Sequence, residues 1–153
     1  MPHEGMVDAL EEAHRLLRPT GRLIEIHPAV EVPFVIVKAD GTVSFVEPDP
    51  GYDYEDDLVH AEAAVGTAVD RGLFVREDNR RFELRTHAAS VEELRDHFEV
   101  TGAYDPEEKD PALLRQRDEM YQRANEALGR PCTVGELIYV EPARMTRLTP
   151  TTP

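Results

Sequence analysis

Six histidines, His3, His14, His27, His60, His87 and His97, are the side chains of this sequence best suited to proton transfer or metal ligation near neutral pH. None stands in an H-x-x-x-H or comparable ligand spacing, so their ordinary reading is as single surface imidazoles. His27 differs by its place. It closes a short apolar run that reads as a strand of parallel type, and open α/β sheets bind ligands at the C-terminal ends of such strands. The acidic run Asp53, Glu55, Asp56 and Asp57 offers oxygen ligands for a hard cation. It lacks the spacing of an EF-hand loop, and carboxylates opening a helix are already explained by the helix dipole. Cys132 sits between Pro131 and Thr133 without a cationic neighbour in sequence, which suits an incidental thiol better than a nucleophile. The sequence therefore indicates no metal site and no catalytic residue.

The elements that would position these residues follow from periodicity. Met6, Leu10, Ala13 and Leu17 share one helical face while Asp8, Glu11, Glu12 and Arg15 face away. Pro19 ends that helix and Gly21 permits a turn before the strand of Leu23, Ile24 and Ile26. Asp40-Gly41 between Phe34–Lys38 and Thr42–Glu47 predicts a β-hairpin. Pro48, Asp49, Pro50, Gly51 and Asp53 read as a loop, and Leu58, Ala61, Val65, Ala68 and Val69 as a helix closed by Gly72. Arg81–His87 alternates like a half-buried strand. Ser90 and Glu93 form a capping box ahead of Val91, Leu94 and Phe98. Residues 101–111 break the pattern, and Leu114, Tyr121, Ala124 and Leu128 mark a longer helix. A last strand over Val134–Val140 and Arg144–Leu148 is expected to be interrupted at Pro142. These elements predict an α+β fold, a mixed sheet with a β-hairpin and four helices packed on it. One domain over 1–148 and a disordered tail over 149–153 are expected.

Composition narrows the partners. Of 153 residues, 31 are acidic and 17 basic, a formal net charge of −14 that opposes binding to phosphate backbones. No nucleic acid partner is expected. No apolar run is long enough to cross a membrane, and a single cysteine cannot form an intrachain disulfide, which points to the cytoplasm.

The first 28 residues, with the turn Leu17-Arg18-Pro19-Thr20-Gly21-Arg22, resemble a segment halfway through class I S-adenosylmethionine-dependent methyltransferases. Met1-Pro2-His3-Glu4 is similar to the residues just after the fourth strand of that family. Arg71-Gly72-Leu73-Phe74 and Ser90-Val91-Glu92-Glu93-Leu94 look like its C-terminal region, and Glu141–Leu148 like its terminal strand. The resemblance covers most of the chain and implies a partial Rossmann-like sheet. In the family the strand order is 3-2-1-4-5-7-6, which makes Arg22–His27 the fifth strand. The resemblance also places His3 and Glu4 at the substrate-side mouth, and with His27, singled out by its strand end, they are the candidate substrate-binding residues.

The family holds its cofactor with a Gly-rich loop after strand one and an acidic residue after strand two. No G-x-G-x-G occurs here, and the nine glycines stand singly. The sequence thus reads as the C-terminal half of such an enzyme without the cofactor-binding half. Alone it is expected to bind no cofactor; completed by that half it would use S-adenosylmethionine. In the parent order the fifth strand loses one neighbour, and an unpaired edge invites pairing. A homodimer through the edge of strand 22–27 or through helix 6–17 is the expected repair. Three functions stay open. The chain is a non-catalytic binding or interaction module, one half of a small-molecule methyltransferase, or an independent α+β domain with a small-ligand pocket between the hairpin 34–47 and the following helices.

Overall fold

The computed structural model describes residues 3–50, 52, 55–102, 110–129 and 135–151. The chain runs through α1 (His3–Leu16), β1 (Leu23–Pro28), β2 (Phe34–Ala39), β3 (Thr42–Pro48), α2 (Glu55–Asp70), β4 (Phe74–Ala88), α3 (Val91–Gly102), α4 (Pro111–Leu128) and β5 (Gly135–Pro150). Among the described residues four helices and a five-stranded sheet make the fold α+β. The strand path is β1-β5-β2-β3, and β4 also pairs with β5.

Local chemistry accounts for most element boundaries. After α1, Gly21 donates its N–H to the carbonyl of Arg18 at 2.7 Å. A Cβ at position 21 would stand 2.9 Å from that same carbonyl oxygen, so the turn into β1 needs glycine. Asp40 (φ 50°) and Gly41 (φ 75°) are both left-handed, the conformation a two-residue turn of type I′ requires to join β2 to β3. Ser90 Oγ accepts the Glu93 N–H at 3.1 Å, while Glu93 Oε2 accepts the Ala89 N–H at 2.7 Å. This is the anticipated capping box shifted by one residue on its second bond. Asp110 caps α4 by accepting the Ala112 N–H at 2.7 Å, with Pro111 in the first turn, where its missing N–H costs nothing.

The chain clusters into two compact units, each with its own core. The first holds residues 1–31, 54–82 and 142–153. There β1 pairs antiparallel with the second half of β5, from Leu23 opposite Leu148 to Pro28 opposite Ala143. Its core joins Val65, Ala68, Phe74 and Leu148, with Leu10, Leu17 and Leu23 packed against them. The second unit holds residues 32–53 and 83–141. There β2 pairs with β3 and, on its other side, with the first half of β5, from Phe34 opposite Val140 to Ala39 opposite Gly135. Val35, Val37, Leu94, Met120, Leu137 and Tyr139 form the heart of its core.

Several expectations need correction. The one neighbour of β1 runs antiparallel, so β1 is not a strand of parallel type in its pairing. The expected break at Pro142 is absent: β5 is continuous for 16 residues, and Pro142 falls where its partner along one edge changes from β2 to β1. At that point a missing N–H interrupts neither ladder. The strand foreseen at 81–87 begins at Phe74, seven residues earlier. Thr149 and Pro150 belong to β5, and Thr151 donates its N–H to Leu73 at 2.9 Å, so order continues beyond the expected boundary at 148. Leu114 is exposed, because α4 buries Met120, Tyr121, Ala124 and Ala127 instead.

Candidate functional site

In the first unit, side chains of β1 alternate. Glu25 and His27 turn to one face and are largely enclosed, while Ile24 and Ile26 on the other face are about half exposed (48% and 56%). His27 Nδ1 lies 2.6 Å from Glu25 Oε1, and since the carboxylate accepts, the imidazole N–H donates. Opposite His27 in the ladder stands Arg144 of β5, which pairs with Glu62 of α2. Three polar atoms of this group, Glu25 Oε2, His27 Nε2 and Arg144 Nε, are buried without a hydrogen-bond partner. Native structures leave few such atoms, so this cluster is the least satisfied polar region described.

Beside it runs an apolar groove of about 460 Å³. Met6 and Leu10 of α1, Leu23 and Glu25 of β1, and Ala61 and Val65 of α2 are among its walls. The groove follows from the sequence stripe of α1, whose apolar face meets α2 but is too small-chained at Ala9 and Ala13 to fill the space over β1. Since β1 ends the strand path, its second edge has no strand beside it among the described residues.

Of the residues singled out from sequence, the structure brings His27 into this cluster and leaves the others apart. His3 opens α1, and Glu4 is exposed in the first turn, where a carboxylate complements the helix dipole. His14 lies edge-on to Phe74 at 5.3 Å. His87 pairs with Glu136 on the surface at 2.7 Å, and His97 stands beside Phe98. Asp53 and Cys132 lie outside the described residues, as do the side chains of Glu55, Asp56 and Asp57. Among the described residues no group of three or more His, Cys, Asp or Glu side chains is placed to hold a metal ion. No described helix is long and apolar enough to cross a membrane.

The second unit carries a buried charge that sequence reading assigned to a loop. Asp49 is 2% exposed and accepts from Arg117 Nε at 2.8 Å and from the Tyr139 hydroxyl at 3.1 Å. Burial alone would lower the Arg117 guanidinium, but the Asp49 carboxylate outweighs it and raises the pKa above its ordinary value. Burial, with Asp49 adding to it, pushes Tyr121 up to about 12 and raises Tyr139 as well. These phenols stay protonated across the physiological range, and Tyr139 serves as a donor to Asp49. Arg95 stacks over the Tyr121 ring at 5.0 Å and bonds Asp118 at 2.7 Å, forming one wall of a polar cleft of about 510 Å³ between α3 and α4. This cleft lies between α3 and α4.

Nearby, burial raises the Glu141 carboxyl above its ordinary 4.5. Raised folded-state affinity for the proton means that this group supports the fold below its unfolded pKa and loses that support as pH climbs through the folded value. Glu141→Gln is expected to be more stable than the native chain at pH 7, with the difference closing below about pH 4.5. Urea unfolding at both pH values checks it; a variant less stable at pH 7 contradicts the assignment.

No family model, no curated protein and no solved structure matches this chain.

Proposed function

We propose that this chain is a methyltransferase-like interaction module that does not turn over a substrate by itself. The observation that carries the reading is the pairing around β1. β1 has β5 at one side, β4 lies beyond β5, and among the described residues no strand lies at the other edge of β1. That is the order of the 5-7-6 end of the class I methyltransferase sheet, seen where the turn at residues 17–22 and the terminal strand resemble that family. An open strand edge beside an apolar groove and the exposed Ile24 and Ile26 is a surface for pairing. A Gly-rich cofactor loop is missing from the sequence, so S-adenosylmethionine has no backbone cradle in this chain. A single cysteine suits the reducing cytoplasm.

A second reading makes the same edge the seam to a cofactor-binding half on another chain. In that case His27, oriented by Glu25, stands on the side of the sheet that would face the methyl acceptor, and the protein contributes by positioning. Isothermal titration with S-adenosylhomocysteine tests the first reading. No saturable heat is expected up to high micromolar ligand, and micromolar affinity of this chain alone overturns it.

A further inference from the structure

We infer that the open edge of β1 is occupied by the β1 strand of a second copy, antiparallel and centred on Ile26, so that Glu25 of each copy faces His27 of the other. The inference rests on the interaction-module reading and names the partner and its register.

Backbone geometry limits the choices. Ala29 donates its N–H to Pro142 at 2.7 Å, continuing the β1–β5 register by one residue. Antiparallel ladders direct alternate residues to opposite edges, so Leu23, Glu25 and His27 spend their backbone groups on β5. Ile24 and Ile26 then direct theirs to the open edge, and Pro28 offers it a carbonyl only. A two-fold axis perpendicular to the sheet keeps the helices of both copies on one side, so residues of the same face lie opposite each other. Four registers satisfy this within β1, centred on Ile24, Glu25, Ile26 or His27, and the last sets the two imidazoles opposite each other and pairs Ile26 with Pro28, which has no N–H to give.

Charge separates them. Centring on Glu25 sets the two Glu25 carboxylates directly opposite, a repulsive pair in a chain already at −14. Centring on Ile24 sets Glu25 against Leu23 and leaves its free oxygen unmet. Centring on Ile26 sets Glu25 against His27 twice, by symmetry. Glu25 Oε2 and His27 Nε2 are the buried, unpartnered atoms of this strand. Across the edge the two side chains are opposed at roughly 4.5–5.5 Å between Cβ atoms, a carboxylate beside an imidazole. The other charges around the ring are Arg144 on β5 and Glu62 on α2, which pair with each other. Ile26 meets its own copy on the outer face, covering side chains now 56% and 48% exposed at positions 26 and 24.

Disulfide trapping reads the register directly. In a Cys132→Ser background, Ile26→Cys alone, Ile24→Cys alone, and a mixture of the two proteins report the Ile26, Ile24 and Glu25 registers respectively. Both sites are exposed, and each variant keeps Glu25 and His27. Under mild oxidation Ile26→Cys is expected to give the dominant covalent dimer, since directly opposed Cα atoms about 5.5 Å apart suit a disulfide. Dominant linkage in either other sample overturns the register. Sedimentation of the native chain should show a dimer at high micromolar concentration. A native chain that stays monomeric at high micromolar concentration overturns the dimer, whereas heat on adding S-adenosylhomocysteine would count against the module reading alone.

Discussion

Asp49→Ala is expected to lower the unfolding free energy by about 3–5 kcal/mol, because it strands a partly buried guanidinium and a buried phenol together. Arg117 would lose the acceptor for its Nε, and Tyr139, whose hydroxyl is bonded to the same carboxylate, would keep a buried donor without a partner. The cost is that of the groups left behind, more than the attraction removed. Set against a typical total of about 5–15 kcal/mol for a domain, the loss would leave the second unit marginal at room temperature. The double variant Asp49→Ala, Arg117→Met should recover part of the loss, because it removes the uncompensated charge and keeps the packing of the stem. Urea melts of the four chains form a cycle that isolates the coupling between Asp49 and Arg117. A loss below about 1 kcal/mol for Asp49→Ala would mean that Arg117 simply swings to solvent.

Ile26→Lys is expected to weaken self-association by at least about a hundredfold while leaving the fold intact. The side chain is exposed, so a lysine there meets water in the monomer and costs little. In the pair it would meet its own copy on the outer face, two ammonium groups opposed across adjacent strands. Like charges in that position are destabilising, and lysine at an exposed edge is a device by which sheet proteins avoid pairing. Unchanged association of this variant, with an unchanged urea midpoint, would show that the contact lies elsewhere.

These two substitutions mark what the sequence could and could not convey. Turn chemistry was legible: Asp40-Gly41, Ser90 with Glu93, and Gly72 each satisfy a local rule, and the elements beside them formed where expected. Residues 74–80 were not legible as strand. Val75, Arg76 and Glu77 are exposed in succession, so the run lacks the alternation that marks a strand with one buried face. Pro142 misled for a related reason, since its missing N–H is harmless only because of where β5 changes partners, a fact of tertiary pairing.

The candidate site divides in the same way. His27 could be singled out by its place at a strand end, and Glu25 two residues earlier on the same face was open to the same reading. Arg144 and Glu62 were not. Their meeting with His27 depends on the β1–β5 register and on the packing of α2, which no local pattern encodes. Asp49 and Arg117 look like solvent-facing charges until the hairpin and α4 close over them. Buried charges are rare enough that sequence reading defaults to the surface.

Pairing at the edge of β1 is the property on which the function of this chain turns. Amide hydrogen exchange at Ile24 and Ile26 reports it at single residues, because these two N–H groups point away from β5. Exchange is expected to be fast for both in dilute solution, slow at high micromolar concentration, and fast again in Ile26→Lys at any concentration. Glu25 and His27, bonded to β5, should stay protected throughout. Fast exchange at Ile24 and Ile26 that does not change with concentration would contradict the account.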